Sequence, residues 1–287
     1  MIVLSAYTLR PALEACRAGL ASLVLSPDLG ITRGETSLDA AGVHFPGGES
    51  LTWESVETIC SAEGGCFLVK DGTAEKIQAF STGTDRVYSL YPTQGAPTML
   101  LSGLPMHRIK GTDPHQDTLN KVKTIRPLVG RVLDTATGLG YTAIEASRTA
   151  EMVTTIELDP AVLTIARRNP WSQALFDNPK ITQVIGDSFD QVAQFADNTF
   201  SRIIHDPPMF SLAGDLYSGE FYRQLWRILK RTGRLFHYIG DLESSSGQRV
   251  TRGVALRLRE AGFENIDRRS DAFGLVAYKK SFIQLNS

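Results

Sequence analysis

The stretch Ile203-Ile204-His205-Asp206-Pro207-Pro208-Met209-Phe210 puts a carboxylate and an imidazole where an apolar run meets two prolines. Proline cannot donate to a strand ladder, so a strand ends here and a stiff loop begins. The fixed acceptors at that point, the Asp206 side chain and the Pro207 carbonyl, suit an amino group whose lone pair is delocalised. If each accepts one of its two N–H bonds, the nitrogen moves toward tetrahedral geometry and its lone pair turns toward an electrophile. Little proton transfer is needed before attack, and alignment supplies most of the acceleration. His205 reads either as a core histidine with both nitrogens bonded or as a base near neutral pH. Pro208 fixes the loop. The alternative for Asp206 is a hard turn and nothing more.

Two other segments carry compatible chemistry. Asp134-Thr135-Ala136-Thr137-Gly138-Leu139-Gly140-Tyr141-Thr142 joins the strand RVLD to a helix. Gly138 and Gly140 let the backbone turn sharply and approach a ligand, and the helix start offers free amide donors. Paired glycines occur in many strand-to-helix turns, so this loop alone does not decide. Glu157, followed by Leu158, lies 23 residues beyond Asp134 at the end of MVTTIE. A carboxylate at this interval commonly takes both hydroxyls of a ribose and repels a 2′-phosphate; the alternative is a solvated strand-end Glu. Asp187 and Ser188 follow the next strand, where they either meet an adenine or cap a helix.

The elements that position these groups form a repeating pattern. Strands are expected at 131–134, 152–157, 180–186, 200–206 and 233–240, with helices between them, one spanning 219–233 and another 250–261. Asp159 and Pro160 mark a helix start. FENIDRRS and AFGLVAYKK close the chain as a tight strand pair. Such alternation predicts an α/β fold, a parallel sheet with helices on both faces, and ligands beyond the strands' carboxyl ends. Residues 1–105 read differently, as a small β-rich accessory domain with little helix. Lys70-Asp71-Gly72-Thr73 marks a hairpin, and LTWESVETI a helix capped by Thr52 with Leu51 and Val56 as a staple. The division expected is 1–105 and 106–287.

The ordered set DTATGLGYT, IELDP, IGDSF and HDPPMF resembles class I S-adenosylmethionine-dependent methyltransferases over about residues 110–280. The resemblance implies a Rossmann-like seven-stranded sheet with its last strand antiparallel and inserted beside the fifth. It implies S-adenosyl-L-methionine as cofactor, with the loop from Asp134 to Gly140 at the methionine part, Glu157 at the ribose, and Asp187 and Ser188 flanking the adenine. GTDPHQDTLNKV (111–122) lies where many of these enzymes cover the methionine carboxylate. Asp206-Pro207-Pro208 resembles the acid-Pro-Pro-aromatic motif of amino-group N-methyltransferases, although Met209 stands in the aromatic's place, one residue before Phe210. The chain as a whole is similar to a group of prokaryotic methyltransferases of unassigned substrate. VTTIELDPAVLTIARR and LYSGEFYRQLWRILKRTGRLF are also similar to spermidine synthases, which makes aminopropyl transfer the alternative to N-methylation.

Composition narrows the partners. The 287 residues carry a formal net charge of −1, unevenly spread. Residues 1–105 hold −5, 106–220 hold −3, and 221–280 hold +7. The basic segment leans to RNA and the acidic one away from it, although charge runs are more often solvated helical faces. An amino-bearing substrate is expected: RNA base, protein side chain or small molecule. Three cysteines, Cys16, Cys60 and Cys66, make no disulfide framework and no zinc spacing, so no metal is expected. The apolar N-terminus is interrupted by Arg10, Glu14 and Arg17, unlike a signal peptide or membrane span. A cytoplasmic protein is expected. The sequence offers nothing on oligomeric state. His107, Arg108 and Lys110 are further candidates to line a substrate, SLAGDLYSGEF (211–221) a candidate lid, and Trp171 a core residue.

Overall fold

The computed structural model describes residues 1–209 and 213–279. Its larger sheet follows from short apolar runs that are buried on both faces. The strands are β1 (Arg131–Asp134), β2 (Met152–Glu157), β3 (Ile181–Ile185), β4 (Phe200–His205), β5 (Leu229–Tyr238), β6 (Glu264–Arg269) and β7 (Gly274–Tyr278). Their order is β3-β2-β1-β4-β5-β7-β6. Strands β1 to β5 pair in parallel, and β7 runs antiparallel between β5 and β6. This is the seven-stranded order that the methyltransferase resemblance implies. Val132, Leu133, Ile203, Ile204, Leu235 and Phe236 are fully buried, as expected of a parallel sheet covered on both faces.

Register brings the chemistry together. Asp134 pairs with Thr155 on one side and Ile204 on the other, and His205 pairs with His237. Glu157 pairs with Ile185, one residue short of the turn that carries Asp187. The carboxyl ends of adjacent strands therefore bear Asp134, Glu157, Asp187 and Asp206 in neighbouring positions. The helices that follow are α2 (Tyr141–Ser147) after β1, α4 (Ser188–Gln194) after β3 and α5 (Gly219–Ile228) before β5. Helix α1 (Pro114–Lys123) precedes β1, α3 (Pro160–Arg167) follows β2, and α6 (Ser245–Glu260) follows β5.

Helix α5 ends at Ile228, not at Gly233, and β5 starts at Leu229 where a strand was expected from 233. The cause is tertiary. Lys279, buried, donates from Nζ to the carbonyls of Trp226, Leu229 and Arg227 and to Asn198 Oδ1. It thereby satisfies carbonyls that a helix terminus leaves open. Thr232, at φ +61°, donates its N–H to the Lys279 carbonyl and carries the strand through the turn.

The chain divides into two compact units, one of Met1–His115 with Pro160–Phe176, the other of Gln116–Asp159 with Asp177 onward. In the first, described strands form antiparallel sheets, among them Ile2–Ser5, Cys66–Lys70 and Thr73–Lys76. The Asp71–Gly72 turn joins the last two, and Thr52 caps the helix Trp53–Ser61 by accepting from Ser55 N–H. This unit holds more helix than expected. Ala6–Arg17 is a 12-residue helix, because the stripe Ala6, Leu9, Ala12 and Ala15 packs inward and outweighs Pro11 inside it. Helix α3 packs on strands Gln78–Ser81 and Arg86–Tyr91 within this same unit. Trp171 donates its indole N–H to the Leu29 carbonyl there.

Candidate active site

The loop after β1 is held by threonines. Asp134 is fully buried, and its Oδ2 accepts from Thr142 Oγ1 at 3.0 Å and Thr155 Oγ1 at 2.9 Å. Burial pushes its carboxyl up to about 7, against the pull of those two donors. Its Oδ1 is buried with no hydrogen-bond partner. Thr137 hydrogen-bonds Thr155 through its hydroxyl at 2.7 Å and donates its N–H to the Ile156 carbonyl. Gly138 sits at φ +53° with open space where a Cβ would point. Gly140, at φ +78°, precedes the first residue of α2, Tyr141, in a left-handed conformation that glycine adopts at little cost.

Glu157 closes onto this loop. Its Oε2 accepts from Gly138 N–H at 2.9 Å and its Oε1 from Asp159 N–H at 3.0 Å. Burial pushes this carboxyl up to about 7 as well, with the two amides opposing. Leu158 beside it is exposed. Asp187 caps α4 by accepting from Phe189 N–H at 2.8 Å, and Ser188 donates to the Thr135 carbonyl at 2.5 Å. Ala136 completes the turn between Thr135 and Thr137.

The strand end at β4 is organised by two unlike groups. His205 is fully buried, with Nδ1 at 2.7 Å from Thr135 Oγ1 and Nε2 at 2.9 Å from the Leu216 carbonyl. Burial takes this imidazole down to about 3, so the ring is neutral near pH 7. His237 lies behind it with ring centroids 4.4 Å apart, bonded through Nε2 to the Tyr222 hydroxyl at 2.8 Å. Asp206, half-buried, directs Oδ2 at Lys121 Nζ, 2.7 Å away. Lys121 is buried, pairs also with Asp117 Oδ2 at 2.8 Å, and lies 4.4 Å from the Tyr238 ring centroid. Burial alone would lower the Lys121 ammonium, but Asp206 and Asp117 carry it above the usual lysine range. The proton therefore stays on the lysine, while burial raises the Asp206 carboxyl against the opposing pull of Lys121. No hydrogen bond from the described residues ends on Asp206 Oδ1. Tyr217 donates its hydroxyl to the Pro208 carbonyl at 3.1 Å, while the Pro207 carbonyl takes no hydrogen bond from the described residues. Met209 is exposed, and Phe210 lies outside the described residues.

The structure thus brings the expected residues of four strand ends to one edge, and adds Lys121, Asp117, Tyr217 and Tyr238. Asp117 and Lys121 fall at i and i+4 of α1, a spacing visible in the sequence. That they face Asp206, 85 residues on, is not visible there. His107, in the other unit, accepts or donates at Thr98 Oγ1, 3.0 Å away. Among the described residues no group of three or more His, Cys, Asp or Glu is placed to hold a metal, and no helix is long and apolar enough to cross a membrane.

Residues 112–225 match a family model described as Conserved hypothetical protein 95. The chain is 44% identical over 237 residues to the uncharacterized protein MJ1233 of Methanocaldococcus jannaschii, covering 82% of this chain and 80% of that one. It is 28% identical over 209 residues to polyamine aminopropyltransferase 2 of Streptomyces coelicolor, 68% of this chain but only 36% of that protein's length. The crystal structure of spermidine synthase from Thermotoga maritima superposes with a TM-score of 0.56 at 20% identity, covering 70% of this chain and 71% of that one. At that identity the likeness shows the fold alone.

Proposed function

We propose that this chain, which belongs to the same family as the uncharacterized protein MJ1233 of Methanocaldococcus jannaschii, is a transferase that methylates an uncharged amino nitrogen at the expense of S-adenosyl-L-methionine. The observation that carries the reading is the buried Lys121 ammonium on Asp206. Asp117 and Asp206 already share that one cation. An alkylammonium brought to Asp206 Oδ1 would meet the Lys121 ammonium on the same carboxyl group, which offsets part of the attraction such a cation would otherwise find there. A neutral N–H meets no such opposition. Asp206 Oδ1 and the Pro207 carbonyl are then the two acceptors for an amide, exocyclic base or aromatic amine.

The residues present fit the cofactor. The open space at Gly138 and the partnerless Oδ1 of Asp134 suit a polar ligand lying over the loop. Asp134, Thr135, Ala136, Thr137, Gly138, Gly140, Tyr141 and Thr142 would hold the amino-acid part, Glu157 and Leu158 the nucleoside, and Asp187 and Ser188 its base. When bound, the cofactor supplies an electrophilic methyl carbon on a sulfonium sulfur. Asp206 Oδ1 and the Pro207 carbonyl would orient the substrate nitrogen with its lone pair toward that carbon; the carbon–sulfur bond would break with its electron pair left on a neutral thioether, and the nitrogen's proton would pass to solvent. Pro208 and Tyr217 fix the loop. His205 holds Thr135 against the Leu216 carbonyl; with both nitrogens engaged it positions, and moves no proton. Met209, exposed beside the double proline, is available to cover the target.

A second reading, aminopropyl transfer to a polyamine, is favoured by the names of the Streptomyces coelicolor and Thermotoga maritima proteins. Calorimetry with S-adenosylmethionine and its decarboxylated form separates the two. Methyl transfer predicts that the carboxylate-bearing form binds at least as tightly. Tighter binding of the decarboxylated form favours the second reading and defeats the first.

A further inference from the structure

Away from the strand ends, three segments of the first unit wall a cavity of about 200 Å³: Ser5 with the start of helix Ala6–Arg17, residues 24–33 and residues 92–97. We propose that this cavity is a binding site for a mononucleotide, with the base inside and the phosphate at its mouth.

Ser5 lies in the lining, 1% exposed, and its Oγ has no hydrogen-bond partner. A buried hydroxyl left unpaired costs about 1–3 kcal/mol, which a ligand acceptor or donor would recover. The walls are set before any ligand arrives. Asp28 accepts from Thr32 N–H at 2.8 Å and Thr32 Oγ1 at 2.6 Å, and Ser26 Oγ accepts from Gly30 N–H at 2.7 Å. Thr93 Oγ1 accepts from Gly95 N–H at 3.0 Å on the facing loop.

Charge and size define the ligand class. No Asp or Glu lines the cavity, and its one ionic side chain is Arg33, exposed and without an ion pair among the described residues. Arg33 at the mouth favours an anion, which guanidinium binds in forked geometry when it is a phosphate. The volume exceeds the roughly 150 Å³ that takes one benzene ring and falls below the roughly 300 Å³ where drug-sized sites begin. One ring system fits inside. Tyr7, whose ring is largely exposed at the rim, with Pro92 and Pro97 buried behind, gives it flat apolar surface. Residues 1–105 carry −5 overall, so successive phosphates of a nucleic-acid strand would be repelled where a single one is held by Arg33.

Uridine 5′-monophosphate is the smallest probe of this class. The full chain, saturated with S-adenosylhomocysteine to fill any nucleoside site at the strand ends, is titrated calorimetrically with uridine 5′-monophosphate, uridine, inorganic phosphate and hexauridylate. The nucleotide is expected to bind one to one, about tenfold more tightly than uridine and more tightly than phosphate. Arg33→Ala should remove that tenfold at unchanged melting temperature, and Tyr7→Ala and Ser5→Ala should each weaken the nucleotide. Glu157→Ala should leave it unchanged. The proposal is overturned if the nucleotide does not bind, if phosphate alone binds as tightly, if the Arg33 and Tyr7 variants bind like wild type, or if hexauridylate binds more tightly than the mononucleotide.

Discussion

Lys121 Nζ stands 2.7 Å from Asp206 Oδ2 and 2.8 Å from Asp117 Oδ2, almost wholly out of solvent. Removing one member of such a cluster strands a charge in a poorly solvated place. Lys121→Met is therefore expected to destabilise the protein by about 3–5 kcal/mol, more than Asp206→Asn does. Denaturant unfolding of both single variants and the double variant gives the coupling. The cycle should return at least about 1 kcal/mol of interaction; additive effects would mean the pair is not formed in solution.

Cofactor binding and turnover should separate by residue. Glu157→Ala is expected to weaken S-adenosylmethionine by roughly 10- to 100-fold, the worth of hydrogen bonds to a charged group. Asp206→Asn should leave that affinity within about twofold. Calorimetry on the two variants checks it, and the reverse pattern would exchange their roles.

The same affinity should depend on pH in a stated direction. In the proposed role ribose hydroxyls would donate to the ionised Glu157, whose carboxyl burial holds up at about 7. Affinity should be at its plateau above pH 7 and fall as the pH drops through that value. A carboxyl at its ordinary value would instead keep the plateau down to about pH 5. Because the His205 imidazole is held down at about 3, a His205→Gln variant should retain the wild-type pH profile.

Asp134 carries the matching effect on stability. Its carboxyl titrates near 7 folded and near 4 unfolded, so between those values the folded state holds a proton that the unfolded state has lost. Its contribution to stability is present below about pH 4, declines as pH rises through that window, and is gone above 7. Asp134→Asn removes the titration. Its stability relative to wild type should therefore rise by a few kcal/mol from pH 5 to pH 8, measured by thermal or urea unfolding. A flat difference would place Asp134 in contact with solvent.

Much of this was legible in the sequence because period and punctuation carry it. RVLD, MVTTIE and FSRIIH are apolar runs of strand length, each followed by a turn, and order alone put Asp134, Glu157 and Asp206 at one sheet edge. The resemblance supplied the inserted β7. What stayed hidden depends on partners distant in the chain. Lys121 reads as one of several helix lysines until β4 brings Asp206 to it. Helix α5 continues periodically past Ile228, and only Lys279, some 50 residues on, satisfies its final carbonyls and lets β5 begin at Leu229. Helix Ala6–Arg17 was hidden by Pro11, although its apolar stripe was present.

The central claim is methyl transfer to a nitrogen held by Asp206. The most direct measurement incubates the protein and S-adenosylmethionine labelled in its methyl group with RNA, protein and metabolite fractions from a strain lacking this chain. The account predicts that label enters one fraction with wild type, that Asp206→Ala binds cofactor but transfers less than about 1% as fast, and that the labelled atom is nitrogen. Wild-type transfer to no fraction, undiminished transfer by Asp206→Ala, or label on carbon or oxygen would contradict it.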